Sequence, residues 1–409
     1  RLLGRTPGFL GRMSVPPPVL ESQKAAHPEL AEIYDKLQTS ASNKLWHQTT
    51  IALEELMKAP CFSAPGNTDL LELYKHFLQD QPQSASGWTG FAGKISPVKH
   101  ASLAITISKQ YDESEAGIMS CVEFLEEVDK KLATVKEAVL LIRLEIARRK
   151  LQKGDVAACK VLTEECQQIL NDFAEVDNVI NSSFYLVSSL LHKNLGSAQD
   201  FYKSSLLYLA YTPLESLSDA QKQALAFDLG LAALCGEKIF QFGELLLHPI
   251  LKSLEGTQGS WLVEMLGAFN TGDIGKFEQV SKTHEAAIKA QAALTNNQQN
   301  LREKIRIFAL MELLRDIPAD SRTVSFQRIA DRTSLPVGEV ELLLMKSLSL
   351  SLVKGSISGV DSTVRVTWVQ PRVMDRESLG KQKAKLTDWM DKVQRTSAFL
   401  SSETPEILA

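Results

Sequence analysis

Two stretches of this chain approach catalytic motifs and stop short of them. His284 and Glu285 open the pattern HExxH, which on a helix places two imidazoles on one face for zinc with the glutamate as general base. Ile288 occupies the position of the second ligand. The run NTGDIGKF, Asn270 to Phe277, is spaced like a phosphate loop, whose amides and lysine hold a polyphosphate while a hydroxyl holds magnesium. Asn270 stands for the first glycine and Phe277 for the Ser or Thr. Gly272 and Asp273 therefore read as the end of one helix and the start of the next, and His284 as a surface helical histidine. No HxH pair occurs among His27, His47, His76, His100, His192, His248 and His284, and there is no GxSxG elbow. Cys61, Cys121, Cys159, Cys166 and Cys235 never stand as CxxC, which argues against a zinc knuckle or a disulfide framework and for a reduced, intracellular chain. Trp46 and His47 in KLWHQTT lie at helical spacing from Ile51 and Leu53, a core pattern. The expectation is a protein with no catalytic residues, no metal and no cofactor.

The informative chemistry is adhesive. From Ser325 to Val373 the sequence reads as a helix (SFQRIADRTSL), a turn (PVG), a second helix (EVELLLMKSLSLSL) and a two-stranded ribbon (VKGSIS, TVRVTWVQPRV). Val340, Leu342, Leu343, Leu344, Met345, Leu348, Leu350 and Leu352 make the second helix almost wholly apolar, with Glu339 and Glu341 at its start and Lys346 as its one base. Helices that read a DNA groove carry Arg, Lys, Asn or Gln against base edges and phosphates. Between Thr323 and Gln370 there are five basic and four acidic side chains, far from the positive surface a phosphate binder needs. The pattern predicts a winged helix that faces protein.

The rest of the chain must position that unit. Its 409 residues, 44% apolar, allow two or three domains with cores of their own. A net charge of −4 gives no general attraction to nucleic acid or to a membrane surface, and the longest apolar run, Leu229 to Gly236, is far too short to span a bilayer. From Glu29 to about Arg315 apolar residues recur at three and four, the helical period. Asp155 to Phe173 is the clearest case, with Gly154 ending the preceding helix, Asp155 as N-cap, and Val156, Cys159, Leu162, Cys166, Ile169 and Phe173 facing inward. Similar junctions at Gly196, Gly236 and Gly272 leave gaps of 42, 40 and 36 residues, the period of stacked helical hairpins. The fold class expected is all-α with a small β-wing: a right-handed α-solenoid over 28–316, a winged helix over 317–375 that caps it, and a C-terminal helix and tail over 376–409. In that last helix Leu379, Leu386, Val393 and Leu400 fall seven apart with Trp389 and Met390 beside them. It could fold back on its own chain or join helices of other chains, and the large apolar Trp389 favours the latter. Residues 1–27, with three arginines and no acid before Glu21, are read as a disordered leader; Ser63–Asn67 and Gln81–Gly93 are read as loops, the second with Trp88 and Phe91 tucked back or docked on a partner.

A helical array running into a winged helix resembles the PCI-domain family, scaffold subunits of the proteasome lid, the signalosome and a translation initiation factor. The segments that carry the resemblance, nearest to lid subunits, are KLWHQTT (Lys44–Thr50), LGLAALCGEKIFQFGELLLHPIL (Leu229–Leu251), AFNTGDIGKF (Ala268–Phe277) and LVKGSISGVDSTVRVTWVQPRV (Leu352–Val373). It implies a non-catalytic lid scaffold acting in ubiquitin-dependent degradation, in cytoplasm and nucleus. The implied interface residues are Lys354, Gly355, Ser356, Ile357 and Ser358 with Val364, Arg365, Val366, Thr367 and Trp368 in the wing strands, and Leu379, Leu386, Trp389, Met390, Val393 and Leu400 in a helical bundle. The implied partners are a neighbouring PCI subunit, the lid's metalloprotease pair and the ubiquitin-receptor subunit, with no nucleic acid and no membrane. A PCI scaffold of another complex and a winged-helix DNA-binding regulator are the alternatives.

Overall fold

A computed structural model describes residues 23–25, 27–57, 69–75, 95–111, 114–173, 176–317, 322–373 and 376–403. The expectations for residues 1–22, for Cys61 and for the loops with Trp88 and Phe91 lie outside these. Residues 23–25, expected within a disordered leader, are helical, and buried Gln23 donates from Nε2 to the Asp69 carbonyl at 2.6 Å. The chain divides into two compact units, Arg1–Gly196 with Leu207–Thr212, and Ser197–Leu206 with Pro213–Ala409.

The first unit is helical: α1 (Ala31–Ser42), α2 (Trp46–Met57), α3 (Asp69–Leu73), α4 (Pro97–Ser108), α5 (Glu115–Leu132), α6 (Lys136–Gln152), α7 (Val156–Asn171) and α8 (Asn178–Leu195). Successive pairs pack as hairpins, and α6 touches α4, α5, α7 and α8. Its composition explains that central place. Ala138, Leu140, Leu141, Ile142, Leu144, Ile146 and Ala147 are all buried, so apolar groups cover every face, and a helix of that kind has to be surrounded. The Asp155–Phe173 expectation is met by α7: Asp155 Oδ1 accepts from the Ala158 amide at 3.0 Å, Gly154 is left-handed at φ +93°, and Cys159 and Cys166 are buried. Burial pushes the Cys121 thiol up to about 11 and Cys166 up to about 12, which keeps both protonated and inert.

A buried polar network lies inside this unit. Glu145 and Arg149, both buried on α6, pair at 3.1 Å, Arg149 Nη2 donates to the Ser108 carbonyl at 2.9 Å, and Ser108 Oγ donates to Glu145 at 3.2 Å. The network ties the end of α4 to the middle of α6.

After α9 (Ala198–Tyr211), the second unit runs α10 (Asp219–Cys235), α11 (Gly243–Leu247), α12 (Ser260–Thr271), α13 (Ile274–Thr283), α14 (Glu285–Lys289), α15 (Ala292–Asn296) and α16 (Gln298–Asp316). Ser218 and Gln221 form a reciprocal capping box at the start of α10. Phe242, Phe269 and Phe308 meet at ring distances of 5.0–6.0 Å in the core, with Phe277 against Phe269. Above Phe240 and Phe242 lies the ammonium of buried Lys304, which donates to the carbonyls of Ala233 at 2.7 Å, Leu234 at 3.2 Å and Gly236 at 2.7 Å. One cation thus closes the carbonyl end of α10.

The Asn270–Phe277 run is the helix junction expected. Gly272 ends α12 at φ +62° and Asp273 Oδ1 accepts from the Lys276 amide to start α13. A Cβ on Gly272 would lie 2.8 Å from Ala309 Cα and 2.9 Å from its nitrogen, so α16 can approach only because this residue has none. G272A should cost about 3 kcal/mol in urea unfolding, from the left-handed backbone and the backbone overlap together. G196A, left-handed but with open space around its Cβ, should cost only about 1 kcal/mol. Gly236 departs from the expected pattern. Its φ is −66°, and no helix follows it until Gly243.

The winged helix is β1 (Thr323–Ser325), α17 (Phe326–Thr333), α18 (Val337–Ser349), β2 (Val353–Ser358) and β3 (Thr363–Val369), with α17 and β3 packed on α16. Two expectations are corrected. The sheet has three antiparallel strands in the order β1-β3-β2, with Val324 opposite Val364 and a bulge at Lys354/Gly355. The second helix starts at Val337 and ends at Ser349, because Pro336 serves as N-cap and Ser351 turns left-handed at φ +56°. Leu350 and Leu352 therefore lie beyond it. The C-terminal helix, α19 (Arg376–Glu403), has 28 residues and is about 42 Å long. Helical hairpins followed by a winged helix with a small sheet are the fold class read from the sequence.

Candidate protein-binding surfaces

The wing, the outer side of α18 and the C-terminal helix α19 each present apolar groups to solvent. The largest of these surfaces is on α19, where Leu379, Leu386, Trp389, Met390, Val393 and Leu400 are 49–65% exposed, joined by Phe399, which the sequence reading did not include. Helical geometry puts the heptad residues on one side, and a shallow groove runs along it past Leu379, Gln382, Lys383, Leu386, Thr387 and Met390. Such side chains contribute about 1.5–3 kcal/mol each when fully buried, so a helix carrying seven of them in water has surface to spare for partners.

Arg372, at the end of the wing segment, is pinned. Arg372 Nη2 donates to the Asn270 carbonyl at 2.6 Å and to Asn270 Oδ1 at 2.8 Å, Nη1 pairs with Glu312 at 3.2 Å, and the guanidinium lies 5.0 Å from the centre of Phe308. Burial lowers the pKa of Arg372 and the Glu312 carboxylate opposes that shift. Nothing in the spacing of QPRV marks Arg372 in advance, because its partners come from α12 and α16.

The wing is the second surface. Lys354, Gly355, Ser356, Arg365, Thr367 and Trp368 are exposed, while Ile357 and Ser358 are half-buried. The Lys354 ammonium sits 5.0 Å from the centre of the Trp368 ring. Val364 and Val366 are buried in the chain's own core at 1% and 4% exposure, so their side chains cannot reach a partner. β3 is the central strand, its backbone engaged by β1 and β2, which leaves β1 and the longer β2 as edges, of which six-residue β2 offers an added strand more to pair with.

The third surface is the outer side of α18. Val340, Leu343, Leu344 and Ser347 face inward, whereas Leu342 at 68% and Met345 at 55% exposure occupy the side with which a DNA-reading helix would meet a groove. The near-catalytic histidine is elsewhere: His284 is half-buried at the junction of α13 and α14, where its backbone caps both. Among the described residues no three His, Cys, Asp or Glu side chains gather as a metal set, and no helix is long and apolar enough to cross a membrane.

Comparison with known proteins bears on which assembly these surfaces serve. The family described as PSD13 N-terminal repeats matches residues 33–266, and the PCI domain matches 281–368. The chain is 42% identical over 395 residues to 26S proteasome non-ATPase regulatory subunit 13 homolog B of Arabidopsis thaliana, covering 95% of this chain and 98% of that protein. It belongs to the regulatory subunit 13 family. Other members include the Dictyostelium discoideum subunit 13, 36% identical over 95% of this chain and 98% of its own, and the 26S proteasome regulatory subunit RPN9 of Saccharomyces cerevisiae, 32% identical over 90% and 92%. In this chain the PCI match runs from α13 to Trp368 and stops before Arg372 and α19. The apolar seam of α19 thus lies beyond the PCI domain.

Proposed function

We propose that this chain is a non-catalytic scaffold of the proteasome regulatory-particle lid, and through lid assembly supports ATP- and ubiquitin-dependent protein degradation. It packs on a neighbouring PCI subunit through the β2 edge, Trp368 and the outer side of α18, and enters a bundle of helices through α19. The other members of that bundle are the lid's metalloprotease pair, the ubiquitin-receptor subunit lies beside the helical repeats, and the complex works in cytoplasm and nucleus. The observation that carries this reading is the exposed apolar seam of α19. Exposed Leu342 and Met345 count against the DNA-binding alternative, because they offer no hydrogen bonds to base edges.

Winged helix and α19 are separate contacts, so losing one weakens assembly without abolishing it. A chain ending at residue 375 should keep the hydrogen-exchange protection of both units, while its incorporation into the lid falls roughly a hundredfold, the scale of losing a cluster of central apolar anchors. Incorporation equal to that of the full chain would exclude the bundle role.

A further inference from the structure

Charge along the α19 seam narrows the choice of partner. Counted in sevens from Leu379, the positions bordering the seam are Lys383, Met390 and Ser397 on one side and Lys385, Lys392 and Phe399 on the other. Three of the six are lysines and none is acidic. Lys383 lines the groove beside Leu379, Leu386 and Met390. Lys392 is paired with Asp388 on its own helix at 2.8 Å, but among the described residues no carboxylate pairs with Lys383 or Lys385. We propose that the helix packed against α19 carries carboxylates beside its apolar residues, and that Lys383 and Lys385 meet them and set its register.

The inference rests on the reading of α19 as a bundle helix. A partner seam without acids would leave two ammonium groups at the border of a dewatered contact, with hydration removed and nothing in return. A second copy of this chain brings the same lysines and no acid in those flanking positions, so self-pairing leaves them unmatched.

The test uses full-length chains added to lid particles assembled without this subunit. K383E/K385E should incorporate about tenfold less well than wild type at low salt, with K383Q/K385Q between them and the gap narrowing as salt screens the charges. Circular dichroism should show unchanged helix in each. Normal incorporation of K383E/K385E together with a loss for W389A would overturn the acidic partner and leave the bundle reading standing. Normal incorporation of both variants would remove the bundle reading, and the proposal with it. Dimers of the pure wild-type chain in sedimentation, lost in W389A, would put a second copy on the seam in place of an acidic helix.

Discussion

R149A should destabilise the first unit by about 3–5 kcal/mol, because it leaves the buried Glu145 carboxylate without its principal cation. Arg149 spends its guanidinium on Glu145 at 3.1 Å, the Ser108 carbonyl at 2.9 Å and Gln152 at 3.2 Å, and no water-exposed route replaces these bonds at 5% exposure. Among the described residues, half-buried Arg148 is the one other cation paired with Glu145, at 3.4 Å. Hydrogen exchange of the α4 and α6 amides in urea reads the loss where it occurs. The double variant E145M/R149M removes both charges together and should recover most of it, since apolar replacement of a whole buried pair is often neutral. A double variant as unstable as the single one would mean that packing of α6, and not charge, sets the cost.

K304M should cost the second unit about 2–4 kcal/mol, because the carbonyls of Ala233, Leu234 and Gly236 lose a common donor while staying buried. The effect has a pH signature. Burial pushes the Lys304 ammonium down from 10.5 to about 7, with only Cys235 acting to raise it. In the unfolded chain the proton is held up to 10.5, so between about pH 7 and 10.5 the unfolded state binds more protons at this residue. Stability from Lys304 therefore rises with pH across that window. In a C235A background, which removes the thiol coupled to Lys304, the chain with Lys304 should gain stability relative to K304M from neutral to alkaline pH, and the remaining thiols and phenols that titrate there are common to both chains and cancel. A difference that stays flat with pH would show that Lys304 keeps its charge throughout.

What the sequence made legible was local. The α7 helix follows from Gly154, Asp155 and a stripe of small apolar residues, all within 20 residues of one another, and the wing strands follow from alternation in VKGSIS and TVRVTW. What it hid depends on distant neighbours. Val364 and Val366 look like a strand that offers an edge until Thr323–Ser325, a segment too short to signal itself, pairs with β3 and turns it into the centre of the sheet. Lys304 lies in LREKIRIF and reads as a helix-surface charge, because nothing near it in sequence announces the end of α10. Arg372 is hidden in the same way, with Asn270 102 residues away. The seam of α19 was readable because a seven-residue repeat needs no partner to be seen, and for the same reason its partners cannot be read from this chain alone.

Crosslinking mass spectrometry of native 26S particles, with a lysine-reactive reagent, tests the central claim most directly. The account predicts that Lys383, Lys385 and Lys392 on α19 and Lys354 on the wing crosslink to other lid subunits. Crosslinks from these lysines confined to their own chain, in particles that contain it, would contradict it.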